Sequence, residues 1–385
     1  MQKNTSFDDM GMIQIESEKQ RIDYVDIIKG VSILWVVLIH LYYPNCIAVD
    51  DTLQIWRWLS VPYRMPSFFF MSGIFFRSKP FSEFLVKKIK TLLLPFLGFW
   101  FIGFLFFVVK YELVANWFSI DYREIGNFAN YASSLKGLFY LRPSVAPCIV
   151  NGPLWFLLVL FFIQVLHFLC CKFIRKKSII FIIGIFMFIA GINLKEHQIT
   201  GLFFVANVFK YYIYYSAGSF WGNILMKRLQ INDALQKMPA VCLLALIVLP
   251  FIHTNSYLIN EIVVLVRSVC FIPVIFAACK SIRHFKIAIP LKYCGIHSLE
   301  ILVTHSILIS LIYSFVFNLI PGSPSHYVFL FLVFPFIIAL EYFIIRFCNK
   351  YLYLLLGKTT KEKFSKKNHK KYCANKKGRI FAPSK

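Results

Sequence analysis

Acidic side chains are scarce in this chain. It has 18 Asp and Glu against 42 Lys and Arg in 385 residues, and all charged residues together make up only 16%. A soluble domain of that length needs more charge to cover its surface, so this class is excluded. No Cys-x-x-C pair occurs, and most of the cysteines lie inside apolar runs (Cys170, Cys171, Cys242, Cys270, Cys279). They read as small buried apolar side chains, and no metal site is expected. No small-residue cleavage site follows the first apolar run, and a polar, acid-containing segment precedes it. That run is therefore expected to stay as a membrane helix rather than be removed as a signal peptide. No internal repeat is visible, which weakens a repeat-built transporter.

What the chain has instead is apolar surface. It is 58% hydrophobic and 18% aromatic, with 43 Phe and 20 Tyr. Apolar runs of about 17–25 residues recur along its length, the signature of membrane-spanning helices. Ten segments can be placed, near 27–44, 60–77, 91–109, 152–171, 178–194, 203–224, 239–253, 258–279, 296–318 and 327–347. The expected fold class is all-α, a polytopic transmembrane bundle of about ten helices.

The net charge of +24 raises nucleic acid as a partner, but the placement of the charges argues against it. Lys and Arg cluster in alternate links: Arg77 to Lys90, Lys172 to Lys177, Lys227 to Lys237, and Lys280 to Lys292. The intervening links, such as "LKEHQITG", "HTNSYLINE" and "IPGSPSH", carry little or no positive charge, and the 110–151 link is mixed in sign. Positive loops face the cytoplasm, so both termini are expected there. The chain then divides into a cytoplasmic segment over 1–26, a membrane domain over 27–347 and a basic cytoplasmic tail over 348–385. The tail is expected to touch anionic membrane lipid.

The stretch "RIDYVDIIKGVSILWVVLIHLYYP" places Lys29 and His40 inside the first apolar run. Eleven helical steps make just over three turns, so the two side chains project from one face, roughly 16 Å apart. Asp26 lies one turn before Lys29, and Tyr43 one turn after His40. Ionisable groups at membrane depth are costly and normally face a cavity or a partner. Taken singly, Lys29 reads equally as a lysine snorkelling to the membrane surface and His40 as a packed, hydrogen-bonded histidine. Their shared face favours a site.

Other polar residues at membrane depth stay open to two readings each. Arg64 either faces an anionic or polar ligand or pairs with a loop carboxylate. Ser72 with Gly73 fits close helix packing, with a site hydroxyl as the alternative. Trp155 fits an interfacial anchor or a substrate contact. Glu300 and His305 lie about 140° apart around one helix, so they cannot share a narrow face. His305, at mid-membrane depth, is placed to line the same cavity as His40. The lysines at 87, 88 and 90 read as topology signals.

These motifs together resemble acyltransferase family 3, integral membrane proteins that O-acylate sugars and surface polysaccharides. The family's first helix carries a basic residue, ten others, then a histidine, matched here by Lys29 and His40 in "DIIKGVSILWVVLIH". The family more often has arginine at the first position; lysine keeps the charge and loses the bidentate fork. "YRMPSFFFMSGIFF", "FLVKKIKTLLLPF", "NGPLWFLLVLFF" and "YCGIHSLEILVTHSILI" match four further family motifs in order, with Thr91 where a basic residue is frequent. The resemblance implies acetyl-CoA as the acyl donor, its phosphates held by Lys29, Lys87, Lys88 and Lys90. It implies His40 as the catalytic base or acyl carrier, with Asp26, Lys29 and His305 beside it in the catalytic set. Arg64, Ser72, Trp155 and Glu300 are then candidates for the acceptor. The implied acceptor is a surface polysaccharide or lipid-linked sugar at the cell membrane. A rival reading is a saccharide flippase or permease with no dependence on acetyl-CoA.

Overall fold

A computed structural model of the chain describes residues 23–41, 64–110, 135, 138, 151–197, 203–230, 234–252, 254–319 and 329–358. Tyr43, the links over 42–63, 111–150 (apart from Leu135 and Leu138) and 320–328, the N-terminal segment to 22 and the basic segment from 359 lie outside them. The described residues are helical, with no strand among them. In chain order, α1 is Asp23–Leu41 and α2 is Met65–Ile74. Next, α3 (Phe81–Lys88) runs through a π turn at Ile89–Leu93 into α4 (Leu94–Val108). A 3-10 turn at Gly152–Leu154 opens α5 (Trp155–Phe173), followed by α6 (Lys177–Glu196), α7 (Phe203–Gln230) and α8 (Ala234–Val248). The chain closes with α9 (Tyr257–Ile282), α10 (Ala288–Ile296), α11 (Ser298–Leu319) and α12 (Phe334–Tyr351).

Six of these segments are long and apolar enough to cross a membrane, or seven if the bent pair α10–α11 counts as one span. This makes the protein an all-helical, multi-pass membrane protein. A helix occupies each of the ten apolar segments, but not all are full-length apolar spans. The helix α2 has 10 residues, about 15 Å of rise against a hydrocarbon core of about 30 Å. The apolar run of α7 is diluted by Asn207, Lys210 and the tyrosines at 211, 212, 214 and 215. These polar groups point inward: Asn207, Lys210, Tyr212, Tyr214 and Tyr215 are buried.

Lipid-facing and core-facing stripes follow helical spacing. On α6, Ile182, Ile185, Phe186 and Ile189 are exposed, three and four positions apart, while Ile180, Phe188 and Ile192 are buried. An exposed apolar stripe of that kind suits acyl chains rather than water.

Glycines set the closest helix contacts. A Cβ at Gly30 of α1 would sit 1.9 Å from the Leu291 carbonyl oxygen, and one at Gly295 of α10 would sit 1.7 Å from that of Asp26. The two backbones therefore touch, and a Lys292 to Asp23 bond of 2.5 Å secures the same crossing. In the second close pair, Gly73 of α2 abuts the Tyr215 carbonyl of α7, and Gly218 abuts that of Phe70. Small residues permit such approach, which is the main source of packing between membrane helices. Gly73 therefore carries the packing that the Ser72–Gly73 pair suggests.

Two π turns precede Leu94–Pro95 and Phe334–Pro335. Proline donates no backbone hydrogen bond, and widening the turn before it accommodates the lost donor. A sharper break of 86° separates α10 from α11 at His297. It redirects the chain from the side of α1 into a helix that packs along α1 and carries His305.

Candidate active site

His40 lies in the last turn of α1, half-buried. Its Nδ1 donates to the Val36 carbonyl at 2.9 Å. A carbonyl oxygen can only accept, so in the neutral ring Nε2 carries the lone pair. The His305 ring meets the His40 ring edge-to-face, centroids 5.2 Å apart. His305 is fully buried and is fixed the same way, Nδ1 to the Ile301 carbonyl at 2.6 Å.

The surroundings draw on α2, α7, α5 and α11. Arg64, at the start of α2, is within electrostatic reach of both His40 and Tyr211 on α7. Tyr211 stacks on Phe69 of α2 at 4.9 Å and lies 5.6 Å from the Trp155 ring. Just before Trp155, Asn151 donates from Nδ2 to the Val303 carbonyl at 2.9 Å, on α11 two residues from His305. His40, His305, Arg64 and Trp155 are thus brought to one end of the bundle.

Lys29 lies at the other end of α1. Its Nζ is 4.0 Å from an Asp26 carboxylate oxygen and 5.5 Å from the Phe75 ring at the end of α2. Lys88 sits 5.6 Å over the Phe84 ring, and Phe84 contacts Phe76 at 6.4 Å. Aromatic side chains therefore connect Lys29 with Lys88 around one rim, where Lys87 and Lys90 are exposed. Asp26 stays with Lys29, roughly 21 Å along the helix from His40. Ser72 is half-buried, near the rim end of α2 and away from Arg64.

Glu300 is also separate from the histidines. Its Oε1 accepts from His297 Nδ1 at 2.9 Å, Asn349 Nδ2 at 3.0 Å and Lys358 Nζ at 2.5 Å. Lys358 lies in a strap that follows α12. Leu356 is buried there, and Gly357, at φ 68°, packs against the Lys90 carbonyl. Glu300 ties this strap to the head of α11.

The sequence reading passed over several buried polar groups. Lys210 of α7 pairs with Glu261 of α9 at 2.5 Å, beside Tyr211. Arg267 of α9 is fully buried at mid-helix, and Glu341 of α12 receives the Thr304 hydroxyl at 2.9 and 3.1 Å. Each stands as a single charge inside an apolar run, which is a signal the sequence does carry. Their partners could not be read, because Lys210 and Glu261 are 51 positions apart.

Two ends of a membrane bundle, one rimmed by lysines and the other holding paired histidines with an arginine, suit a reaction in which an anionic donor and a second substrate meet. No curated protein and no solved structure matches the chain, but the family model described as "Acyltransferase domain" matches residues 22–345. That match spans every described helix from α1 to the greater part of α12. The chain belongs to acyltransferase family 3, as a multi-pass membrane enzyme that transfers acyl groups other than amino-acyl groups.

Proposed function

We propose that this chain takes an acetyl group from acetyl-CoA at its Lys29 end and passes it to a hydroxyl of a surface polysaccharide or lipid-linked sugar at its His40 end. The observation that supports this most is the division of α1, with Lys29 at the lysine rim and His40 facing His305. The alternation of Lys and Arg among the links puts the lysine rim and both termini on the cytoplasmic side of the cell membrane, where acetyl-CoA is made available. Lys29, Lys87, Lys88 and Lys90 collect the donor's phosphates as point charges. The pantetheine arm enters the bundle between the helices and carries the thioester towards His40. No metal or nucleic acid takes part in this reading.

His40 Nε2 removes the proton of the attacking hydroxyl as its oxygen bonds to the thioester carbonyl carbon. The carbon–sulfur bond then breaks, and the leaving thiolate takes the proton back from Nε2. Arg64, within electrostatic reach, favours the negative charge that builds on the carbonyl oxygen. In the second route the acyl group rests on His40 before the hydroxyl attacks. Trp155 and Tyr211 offer aromatic faces to the sugar ring.

Binding of acetyl-CoA to purified protein in nanodiscs tests the donor half. Lys29→Ala should weaken binding and Lys29→Arg should keep most of it, with salt weakening the parent's binding because the rim is solvated. Undiminished binding by Lys29→Ala would remove the phosphate role. Saccharide movement across vesicles without acetyl-CoA would instead favour the permease.

A further inference from the structure

The π turn at Ile89–Leu93 has a weak point that proline imposes on it. The Leu94 N–H goes to the Ile89 carbonyl, five residues back. In that register the Lys90 carbonyl would be served by the next nitrogen, which belongs to Pro95 and carries no hydrogen. The strap after α12 reaches this same carbonyl. A Cβ at Gly357 would lie 2.1 Å from the Lys90 oxygen, so the glycine hydrogen in that position points at it as a Cα–H contact.

The rest of the strap holds this contact in place. Gly357 has φ 68°, in the left-handed region, and two backbone bonds close the turn around it: Gly357 to the Leu354 carbonyl at 2.9 Å and Lys358 to the Tyr353 carbonyl at 3.0 Å. Leu355 packs on Gly98 of α4, where a Cβ would lie 3.0 Å from its side chain. Leu356 is buried in the core that also contains Leu92 of the π turn. At the end of the strap, Lys358 Nζ donates to Glu300 Oε1 and Asn349 Oδ1, each at 2.5 Å. Glu300 is 1% exposed, so the anchor sits on a buried carboxylate rather than a screened surface one.

The braced turn carries Lys90, and Lys87 and Lys88 end the helix directly before it. A turn interrupted by proline depends on packing to keep its shape. We propose that the strap Leu352–Lys358 is a positioning element of the donor site. Gly357 and Lys358 act through the Ile89–Leu93 turn: they hold it against α11 and α12, and so hold Lys87, Lys88 and Lys90 in the register that gathers the phosphates of acetyl-CoA. The end of the membrane domain is thereby tied to the first step of the reaction. This assignment rests on the reading of the lysine rim as the donor end.

The test is acetyl-CoA binding to the full-length protein in nanodiscs over a range of salt concentrations. Gly357→Ala and Gly357→Asn should each weaken binding about tenfold, in line with overpacking a tight backbone contact. Asparagine separates contact from backbone strain, because it accepts positive φ and still brings a Cβ to the Lys90 carbonyl. Lys358→Met should weaken binding as well, while Lys358→Arg, which keeps the charge on Glu300, should stay within about threefold of the parent. The gap between the weakened variants and the parent should narrow as salt rises, since the lost contacts are to phosphate at a solvated rim. Parental binding by Gly357→Asn overturns the inference, leaving only strain at Gly357. A gap of the same size at every salt concentration also overturns it, because general damage to the fold would give that result. If Lys29→Ala loses binding and every strap variant keeps it, the donor reading stands and the strap has no part in it. If Gly357→Ala fails to insert, Gly357→Asn and the Lys358 pair decide. A parent chain that binds no acetyl-CoA defeats the donor reading itself, and the inference falls with it.

Discussion

His40→Gln should yield an inserted protein that binds acetyl-CoA as the parent does and transfers acyl groups about 10²–10⁴-fold more slowly, the usual loss for a positioned base. The geometry explains why glutamine is the informative replacement. The Val36 carbonyl takes the Nδ1 hydrogen of His40, so Nε2 is the atom with chemistry to offer. Glutamine can donate to the same carbonyl and is similar in size, but its oxygen is a far weaker base. Packing against α11 is retained and proton removal is lost. Incubation with labelled acetyl-CoA in the absence of acceptor separates the two routes: acyl label on the parent protein, absent from His40→Gln, marks a covalent intermediate. Near-parental turnover by a properly inserted His40→Gln protein would remove His40 from the chemistry and shift attention to His305 or to transport.

Gly295→Ala should destabilise the bundle by about 1–3 kcal/mol or more, the cost of overpacking a tight contact. The obstacle is backbone rather than a side chain that can swing away. The added methyl would lie 1.7 Å from the Asp26 carbonyl oxygen and 2.8 Å from the Gly30 nitrogen. For the methyl to fit, α10 must move off α1, stretching the Lys292–Asp23 bond and the sharp junction into α11. Because α11 carries His305, transfer should fall along with stability. Thermal unfolding in detergent, followed by loss of monodisperse protein, measures the effect. Gly152→Ala is the control for stability, since a methyl there meets open space. Equal unfolding temperatures for Gly295→Ala and the parent would contradict the backbone contact.

Much of this site was legible from helical arithmetic. The near three-turn spacing of Lys29 and His40 placed a rim residue and a deep residue on one face of α1, and no tertiary information was needed for that. The 140° between Glu300 and His305 separated them correctly as well: one goes to Lys358 and Asn349, the other to His40. Contacts between distant segments were not legible. Nothing local to Lys210 names Glu261, and nothing local to Glu300 names a lysine 58 positions later. Helix α10 also escaped, because Lys280 to Lys292 reads as a basic link and the next apolar segment begins only near 296, whereas close packing on α1 holds residues 288–296 as a helix. Gly218 and Gly222 stand four apart in an apolar helix, a pattern that does announce close packing, and it identifies α7 as the partner helix for α2 only once the fold is seen.

The most direct measurement is mass spectrometry of surface glycans from otherwise identical cells with and without this chain. An acetyl-transferring membrane enzyme predicts glycan species heavier by an acetyl increment in cells that have the chain, lost on mild alkaline treatment that cleaves esters and absent when His40→Gln replaces the parent. Identical glycan spectra with and without a correctly inserted chain would contradict the account.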